Sequence, residues 1–198
     1  QLQHYSYRGP LQAALRAKNI QYDFVGSNNF PAGSLTEGAD DHDHEGHVSF
    51  TIGPDATYDN ISANLTTYLT NRNPDVILLF IGTNDVSFNA GKPRYTAADK
   101  LTTLVSRIAV ARPNAVILIA SLLPRPYALD ADALQTLTDL NGRAAQLGNL
   151  SATDQLVFVD LYTKSGVGSN TYYLDTVHVN ALGAQKIADV WAQILTVP

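Results

Sequence analysis

The sequence predicts an α/β protein in which a mostly parallel sheet is covered by helices on both faces. Short apolar runs of strand length alternate with longer segments whose apolar residues recur at helical spacing. Two of the runs, residues 75–82 and 115–121, are almost wholly apolar, as in strands that are covered on both faces. The 198 residues suffice for one compact core, so we expect a single domain over residues 1–198.

The first half of the chain alternates between helix and strand. Its predicted elements are, in order, a helix from Pro10, a strand over residues 20–25, a helix from Pro54 and a strand over residues 75–82. A proline suits the first turn of a helix, and the alternating, aromatic residues 20–25 are typical of a strand. Residues 26–47 form a polar loop that is too long for a simple connection. The helix from Pro54 has an apolar stripe at Ile61, Leu65 and Leu69.

The second half continues the alternation. Its predicted elements are a helix over residues 97–111, a strand over 115–121, a helix from Asp130 or Asp132 to about Leu147, a strand over 155–160 and a helix over 181–195. Pro113 ends the first of these helices, and an aspartate side chain can cap the next. In such folds the functional residues gather at the carboxyl ends of the strands. One feature is unusual, because doubly wound domains normally begin with a strand and this chain begins with a helix.

Composition excludes several classes of partner and site. With 13 Lys and Arg against 18 Asp and Glu the net charge is −5 and no basic patch stands out, so no nucleic acid is expected as a partner. The apolar runs are far shorter than a membrane span, so no membrane partner is expected either. The absence of Cys rules out a disulfide framework and a thiolate nucleophile. We expect no cofactor.

A first candidate site residue, Asn84, comes directly after the most apolar strand. Gly82 permits a tight turn there, and the Asn84 side chain can direct an amide N–H above the end of the sheet. A fixed donor of this kind can stabilise the negative charge of an acyl-transfer intermediate. The alternative is that Asn84 and Asp85 only form the turn that closes the strand.

A second candidate pair, Asp175 and His178, lies on a short loop before the last predicted helix, which Asn180 can cap. A carboxylate three residues before a histidine can accept the Nδ1 proton. That hydrogen bond fixes the tautomer and directs Nε2 to act as a general base. The alternative is a surface histidine beside the start of a helix.

Together the two motifs resemble the SGNH (GDSL-type) hydrolases, which carry Gly-x-Asn-Asp and Asp-x-x-His blocks, and in particular carbohydrate esterase family 3, which includes acetylxylan esterases. Further segments that carry the resemblance are Ser6-Tyr7-Arg8, Asp23-Phe24-Val25-Gly26-Ser27, and Asp43-His44-Glu45-Gly46-His47 running into Thr51-Ile52. The resemblance implies a flavodoxin-like three-layer α/β/α fold and removal of O-acetyl groups from carbohydrate by a Ser-His-Asp mechanism. It implies His178 as the base, Asp175 as the residue that orients it and Asn84 as an oxyanion donor.

Two positions depart from the family's pattern. The family has a Gly about two residues after the position of His47, where its backbone N–H contributes to the oxyanion hole, and this chain has Ser49 there. Ser49 keeps the N–H, but a positive φ would strain it. The family's nucleophile lies in a Gly-Asp-Ser block that ends its first, central strand, and no Gly-Asp-Ser occurs in the 198 residues.

By the resemblance, the missing block would fall before Gln1 together with the strand that carries it. Few domains survive the loss of a core strand, so we expect residues upstream of Gln1, or a retained N-terminal peptide carrying Gly-Asp-Ser, to supply both strand and nucleophile. The alternative is a sheet that is rebuilt without this strand. With the nucleophile supplied, the protein hydrolyses acetylated carbohydrate or another small ester. The alternative is a non-catalytic, carbohydrate-binding relative that has lost the nucleophile.

Three further features leave alternatives open. Residues 40–47, rich in Asp and His, suit either a divalent metal ion or hydrogen bonds within the loop, and we assign no metal there. Tyr172 and Tyr173 suit either stacking on a sugar ring or packing. Candidate glycosylation sequons begin at Asn60, Asn64 and Asn149. They favour a secreted protein from a eukaryote such as a fungus, with its signal peptide already removed.

Overall fold

The structure is a computed structural model that describes residues 5–29, 41–54, 57–88, 96–149 and 155–196. The α-helices of this part of the chain are α1 (Arg8–Ala17), α2 (Leu65–Arg72), α3 (Thr83–Phe88), α4 (Thr96–Ala111), α5 (Ala131–Asn149), α6 (Leu161–Lys164) and α7 (Ala181–Leu195). The strands are β1 (Val76–Leu79), β2 (Val116–Ala120) and β3 (Leu156–Val159), and short 3-10 helices span Ile61–Ala63 and Asn170–Tyr172. The predicted mixed α/β fold with a parallel sheet is confirmed.

The chain divides into two compact units. Unit 1 comprises residues 1–45, 123–128 and 161–198, and unit 2 comprises residues 46–122 and 129–160. The three strands and helices α2 to α5 belong to unit 2, whereas α1, α6 and α7 belong to unit 1.

The sheet of unit 2 has three parallel strands in the order β1-β2-β3. Val76 pairs with Val116 and Ile117 pairs with Leu156, which fixes the register of both ladders. Four of the five residues of the central strand β2 are buried, whereas none of the four residues of β1 is buried. In the described ranges no strand pairs with the outer edge of β1. Among the described residues, an apolar strand of a parallel sheet therefore has an unpaired edge.

Helices α4 and α5 supply most of the core of unit 2. The inward residues of α4 recur at helical spacing, and each is at most 3 % exposed: Leu101, Leu104, Val105 and Ile108. On α5, Gly148 permits close contact with β3, because a Cβ there would lie 2.3 Å from the backbone nitrogen of Phe158. Burying side chains of this size contributes roughly 1.5–3 kcal/mol each, so the core holds these helices on the strands.

Unit 1 is organised around the packing of α1 against α7. Leu11, Leu15 and Trp191 are buried in it, and the rings of Tyr7 and Trp191 lie 6.3 Å apart. The predicted cap of α7 is present, because Asn180 Oδ1 accepts a hydrogen bond from the Gly183 N–H at 3.1 Å. None of the described helices is both long and apolar enough to cross a membrane.

Two predicted elements are wrong. Residues 20–25 are not a strand, because a strand requires a hydrogen-bonded neighbour and the described residues provide none. The helix predicted from Pro54 is absent over the described residues 57–60 and is interrupted at Asn64. Asn60 has an extended backbone and caps the 3-10 helix that follows it, so a helix from Pro54 cannot continue through this position.

Candidate active site

Asp175 and His178 form the hydrogen-bonded pair that their spacing predicts. His178 Nδ1 lies 2.8 Å from Asp175 Oδ2, and the two side chains are 50 % and 30 % exposed, respectively. The other carboxylate oxygen, Oδ1, accepts hydrogen bonds from the backbone N–H groups of Val177 and His178, both at 2.7 Å. Asp175 is therefore held by the loop itself. Its contact with Nδ1 selects the tautomer in which Nε2 carries the basic lone pair.

The carboxyl group of Asp175 is held in its charged form. Burial alone would raise its pKa, but the hydrogen bonds from the backbone and ring of His178 and from the Val177 N–H outweigh it and lower the pKa to about 2. An anionic carboxylate on Nδ1 stabilises the imidazolium that forms when Nε2 takes a proton. The pair has the chemistry of a general base and the residue that orients it.

A small antiparallel bridge between Tyr173 and Val179 holds the loop that carries the pair. The Leu174 N–H donates to the His178 carbonyl at 2.8 Å, and the Asn180 N–H donates to the Tyr172 carbonyl at 2.9 Å. The loop leads directly into α7, whose first turn is capped by Asn180. The base is therefore anchored by main-chain hydrogen bonds on one side and by a helix start on the other.

Tyr173 packs rather than offering a face to a sugar, which corrects one of the two stacking predictions. It is 9 % exposed, and its hydroxyl donates to the carbonyl of Pro124. Burial raises the pKa of Tyr173 to about 12, against the opposing charge of Arg125. Tyr172 is partly exposed, and its role in stacking stays a prediction.

Arg125 is a charged neighbour of Asp175 that the sequence analysis missed. Burial lowers the pKa of its guanidinium, and the nearby Tyr127, Tyr173 and Asp175 oppose that shift. Its position between two prolines, directly after the apolar segment that contains β2, was the available signal.

Asn84 lies in the first turn of α3, and this helix begins directly after Gly82, which makes the turn from the strand possible. Gly82 has φ +117°, a conformation that L-residues rarely adopt. Asn84 Nδ2 donates to the Phe50 carbonyl at 2.8 Å. An amide nitrogen carries two hydrogens, so this bond fixes the side chain and leaves a second N–H for a ligand.

Ser49 has φ +63°, the condition under which the sequence analysis expected strain at this position. Its backbone is thus left-handed, which costs an L-residue about 1–2 kcal/mol relative to glycine. In the described part of the chain the Ser49 N–H has no hydrogen-bond partner. Asp85, the residue after Asn84, holds the residues that follow Ser49, because its Oδ2 accepts the Ile52 N–H at 3.1 Å. Sequence reasoning treated Asp85 only as a turn residue.

The acidic, histidine-rich loop uses its carboxylates to hold its own backbone. Asp41 Oδ2 accepts the Phe24 N–H at 2.7 Å, and the two oxygens of Glu45 accept from the backbone and hydroxyl of Ser27. Asp40 lies outside the described residues. Among those described, no three His, Asp or Glu side chains converge as metal ligands would.

The three sequons differ in exposure. Asn60 is only 9 % exposed, and its Oδ1 accepts the Ala63 N–H at 3.0 Å, so the side chain of this candidate serves as a helix cap. Ser62 of the same sequon is 4 % exposed. Asn64 and Asn149 are exposed. Of the three sequon asparagines, these two therefore have accessible side chains.

Comparison with known proteins identifies the family. The sequence profile of the GDSL-like lipase/acylhydrolase family matches residues 33–186, which is most of the chain. The chain therefore belongs to this family of esterases and acylhydrolases, within the SGNH superfamily.

Solved structures of carbohydrate esterases have the same fold. A Clostridium thermocellum family 3 carbohydrate esterase is 29 % identical, with a TM-score of 0.71 over 95 % of this chain and 84 % of that one. A carbohydrate esterase family 3 protein from Talaromyces cellulolyticus is 25 % identical, with a TM-score of 0.77 over 96 % of this chain and 89 % of that one. A curated relative from Acetivibrio thermocellus that bears an endoglucanase name is 28 % identical over 140 residues, or 71 % of this chain. The chain spans 58 % of that relative's length.

Proposed function

We propose that this member of the GDSL-like lipase/acylhydrolase family is a carbohydrate esterase that removes O-acetyl groups from a plant polysaccharide such as acetylxylan. The observation that carries the proposal is the pairing of His178 Nδ1 with Asp175 Oδ2 at 2.8 Å. A histidine oriented by a fixed carboxylate is the base that an ester hydrolase with a serine nucleophile requires.

In this mechanism His178 Nε2 takes the proton of a serine hydroxyl, whose oxygen attacks the acetyl carbonyl carbon. The second N–H of Asn84 and the backbone N–H of Ser49 donate to the oxyanion that forms. His178 then returns the proton to the sugar oxygen as the ester bond breaks, and the acetyl group remains on the serine. Water, activated by the same histidine, releases acetate and restores the serine hydroxyl.

The serine is supplied by a Gly-Asp-Ser segment outside the 198 residues, and we place its strand along the outer edge of β1. Two observations support this part of the proposal. β1 is wholly apolar yet has no buried residue, and its outer edge has no partner in the described ranges.

The test is acetate release by the natural protein from acetylated xylan, together with turnover of p-nitrophenyl acetate. Replacing His178 with Ala should lower turnover by about 10³-fold or more, because the serine is no longer activated. His42→Ala is the matched control, since His42 is exposed and lies outside the proposed mechanism. Unchanged turnover in His178→Ala would refute the assignment. Binding of xylan without acetate release would favour the non-catalytic alternative.

We also propose that the protein is secreted by a eukaryotic cell and glycosylated at Asn64 and Asn149 but not at Asn60. The attachment nitrogen of Asn60 lies in a nearly buried side chain that caps a 3-10 helix, so a glycan there would oppose folding. Enzymatic deglycosylation in heavy-oxygen water followed by peptide mass spectrometry should mark only the two exposed asparagines. A marked Asn60 in folded protein would contradict this part of the proposal.

A further inference from the structure

The segment Phe50–Ile52 is held at five of its backbone polar groups. The hydrogen bonds join the Phe50 carbonyl to Asn84 Nδ2, the Thr51 N–H to the Asp59 carbonyl, the Thr51 carbonyl to the Ile61 N–H, the Ile52 N–H to Asp85 Oδ2 and the Ile52 carbonyl to Ser62 Oγ. Ser49 immediately precedes this segment and is itself exposed. Since no described residue binds the Ser49 N–H, its direction follows from how the segment is held.

Among the partners of this segment, Asp85 is the one whose burial costs the most free energy, because it carries a carboxylate. Its side chain is 5 % exposed, and Ile52 is fully buried, so the contact between them is shielded from water. Burying a carboxylate costs free energy unless hydrogen bonds compensate, and a bond from an amide N–H to an ionised oxygen is among the stronger ones. Asp85 also follows Asn84 directly, so the same first turn of α3 holds the segment at both Phe50 and Ile52.

We propose that Asp85 is a positioning residue for the oxyanion donors: by holding Ile52 it fixes the Ser49 N–H relative to the Asn84 amide. The inference rests on the proposed function, because it concerns the donors of that mechanism. Asp85 does not touch the substrate; it acts through the Phe50–Ile52 segment. The two donors thereby form one rigid group, both attached to the start of α3.

Loss of Asp85 should impair the chemical step more than substrate binding. Oxyanion contacts form fully only in the transition state, so a displaced donor lowers kcat while KM changes little. Removing a donor outright costs about 10²–10³-fold in kcat, and we expect a smaller loss of about 10–100-fold when a donor is only misplaced.

The experiment compares three variants of the natural protein. Asp85→Ser cannot reach the Ile52 N–H and should lose about 10–100-fold in kcat with KM within about twofold. Asp85→Asn keeps an acceptor oxygen and should stay within about threefold of the wild type. Asp130→Ala removes the capping contact of Asp130 Oδ1 with the Ala133 N–H in α5, so it should lose stability alone.

Each result decides the inference separately from the proposed function. A wild-type kcat in Asp85→Ser, or an equal loss in Asp85→Asn, would overturn the positioning role. His178→Ala is measured in parallel, and if it retains turnover the proposed function fails instead. Should Asp85→Ser not fold, Asp85→Glu keeps the carboxylate but lengthens the side chain by one CH2, which displaces Ile52, and the inference requires a kcat loss of about threefold or more. An unchanged kcat in that variant would overturn it.

Discussion

Gly82→Ala tests whether the turn before Asn84 depends on glycine, as the backbone indicates. Gly82 has φ +117°, outside the regions open to residues with a Cβ. A Cβ built there would lie 3.1 Å from Leu140 Cδ1, 3.3 Å from Leu122 Cδ1 and 3.4 Å from Ile52 Cδ1. The substitution therefore meets backbone strain and crowding in the same core of unit 2.

The expected destabilisation follows from three contributions. A residue held in a forbidden backbone region costs about 1–3 kcal/mol. Crowding by one methyl group adds about 1 kcal/mol, since three side-chain methyls must move by a few tenths of an ångström. Alanine also lowers the conformational entropy of the unfolded chain, which offsets about 0.4–1 kcal/mol of this destabilisation. We expect a net loss of about 2–3 kcal/mol in the free energy of unfolding.

Urea unfolding monitored by circular dichroism measures this change, and Gly142→Ala is the control. Gly142 lies inside α5, and a Cβ there would meet nothing within 4 Å. The same substitution at this position should stabilise the protein by up to about 1 kcal/mol through helix propensity. Opposite signs at the two glycines support the reasoning. A Gly82→Ala variant within about 0.5 kcal/mol of the wild type would refute it.

Two further predictions concern stability near the site. The low pKa of Asp175, about 2, stabilises the fold above the ordinary pKa of 3.8, and the contribution is lost as pH falls from about 4 to 2. Asp175→Asn should therefore lower the free energy of unfolding by about 1 kcal/mol at neutral pH, allowing for solvent screening, and leave it unchanged near pH 2. Urea midpoints measured across this pH range test the prediction, and a difference that does not depend on pH would contradict it. Ser49→Gly should raise the urea midpoint and increase the free energy of unfolding by about 0.5–1 kcal/mol. Glycine relieves the backbone strain at φ +63°, and no described hydrogen bond is lost. A lower midpoint would argue against strain at this position.

Elements with a clear periodicity could be predicted from the sequence. The helices over residues 97–111 and 181–195 match α4 and α7 to within a residue, because their apolar spacing and stop signals are local. The local pattern of residues 20–25 was not sufficient to predict a strand, since a strand also requires a second segment that pairs with it by hydrogen bonds. The helix expected from Pro54 failed because Asn60 and its partners, not the apolar stripe, decide the local backbone.

In the candidate site too, contacts between residues close in sequence could be predicted, whereas contacts between distant residues could not. Asp175 and His178 are three residues apart, so their spacing alone predicts the hydrogen bond that the structure contains. Asp85 binds the N–H of Ile52, 33 residues earlier in the chain, and no local pattern indicates that partner. The left-handed backbone of Ser49 could not be predicted, because serine is not a residue that indicates a positive φ; the resemblance gave only the consequence, strain, that a positive φ would have.

The most direct test of the whole account is to identify the nucleophile in the natural protein. A fluorophosphonate attaches covalently to an activated serine, and peptide mass spectrometry locates the attachment. The account predicts one labelled serine, in a Gly-Asp-Ser segment outside the 198 residues, with no labelling in His178→Ala. A label on a serine within the 198 residues, such as the buried Ser121, or ester turnover without any label would contradict it.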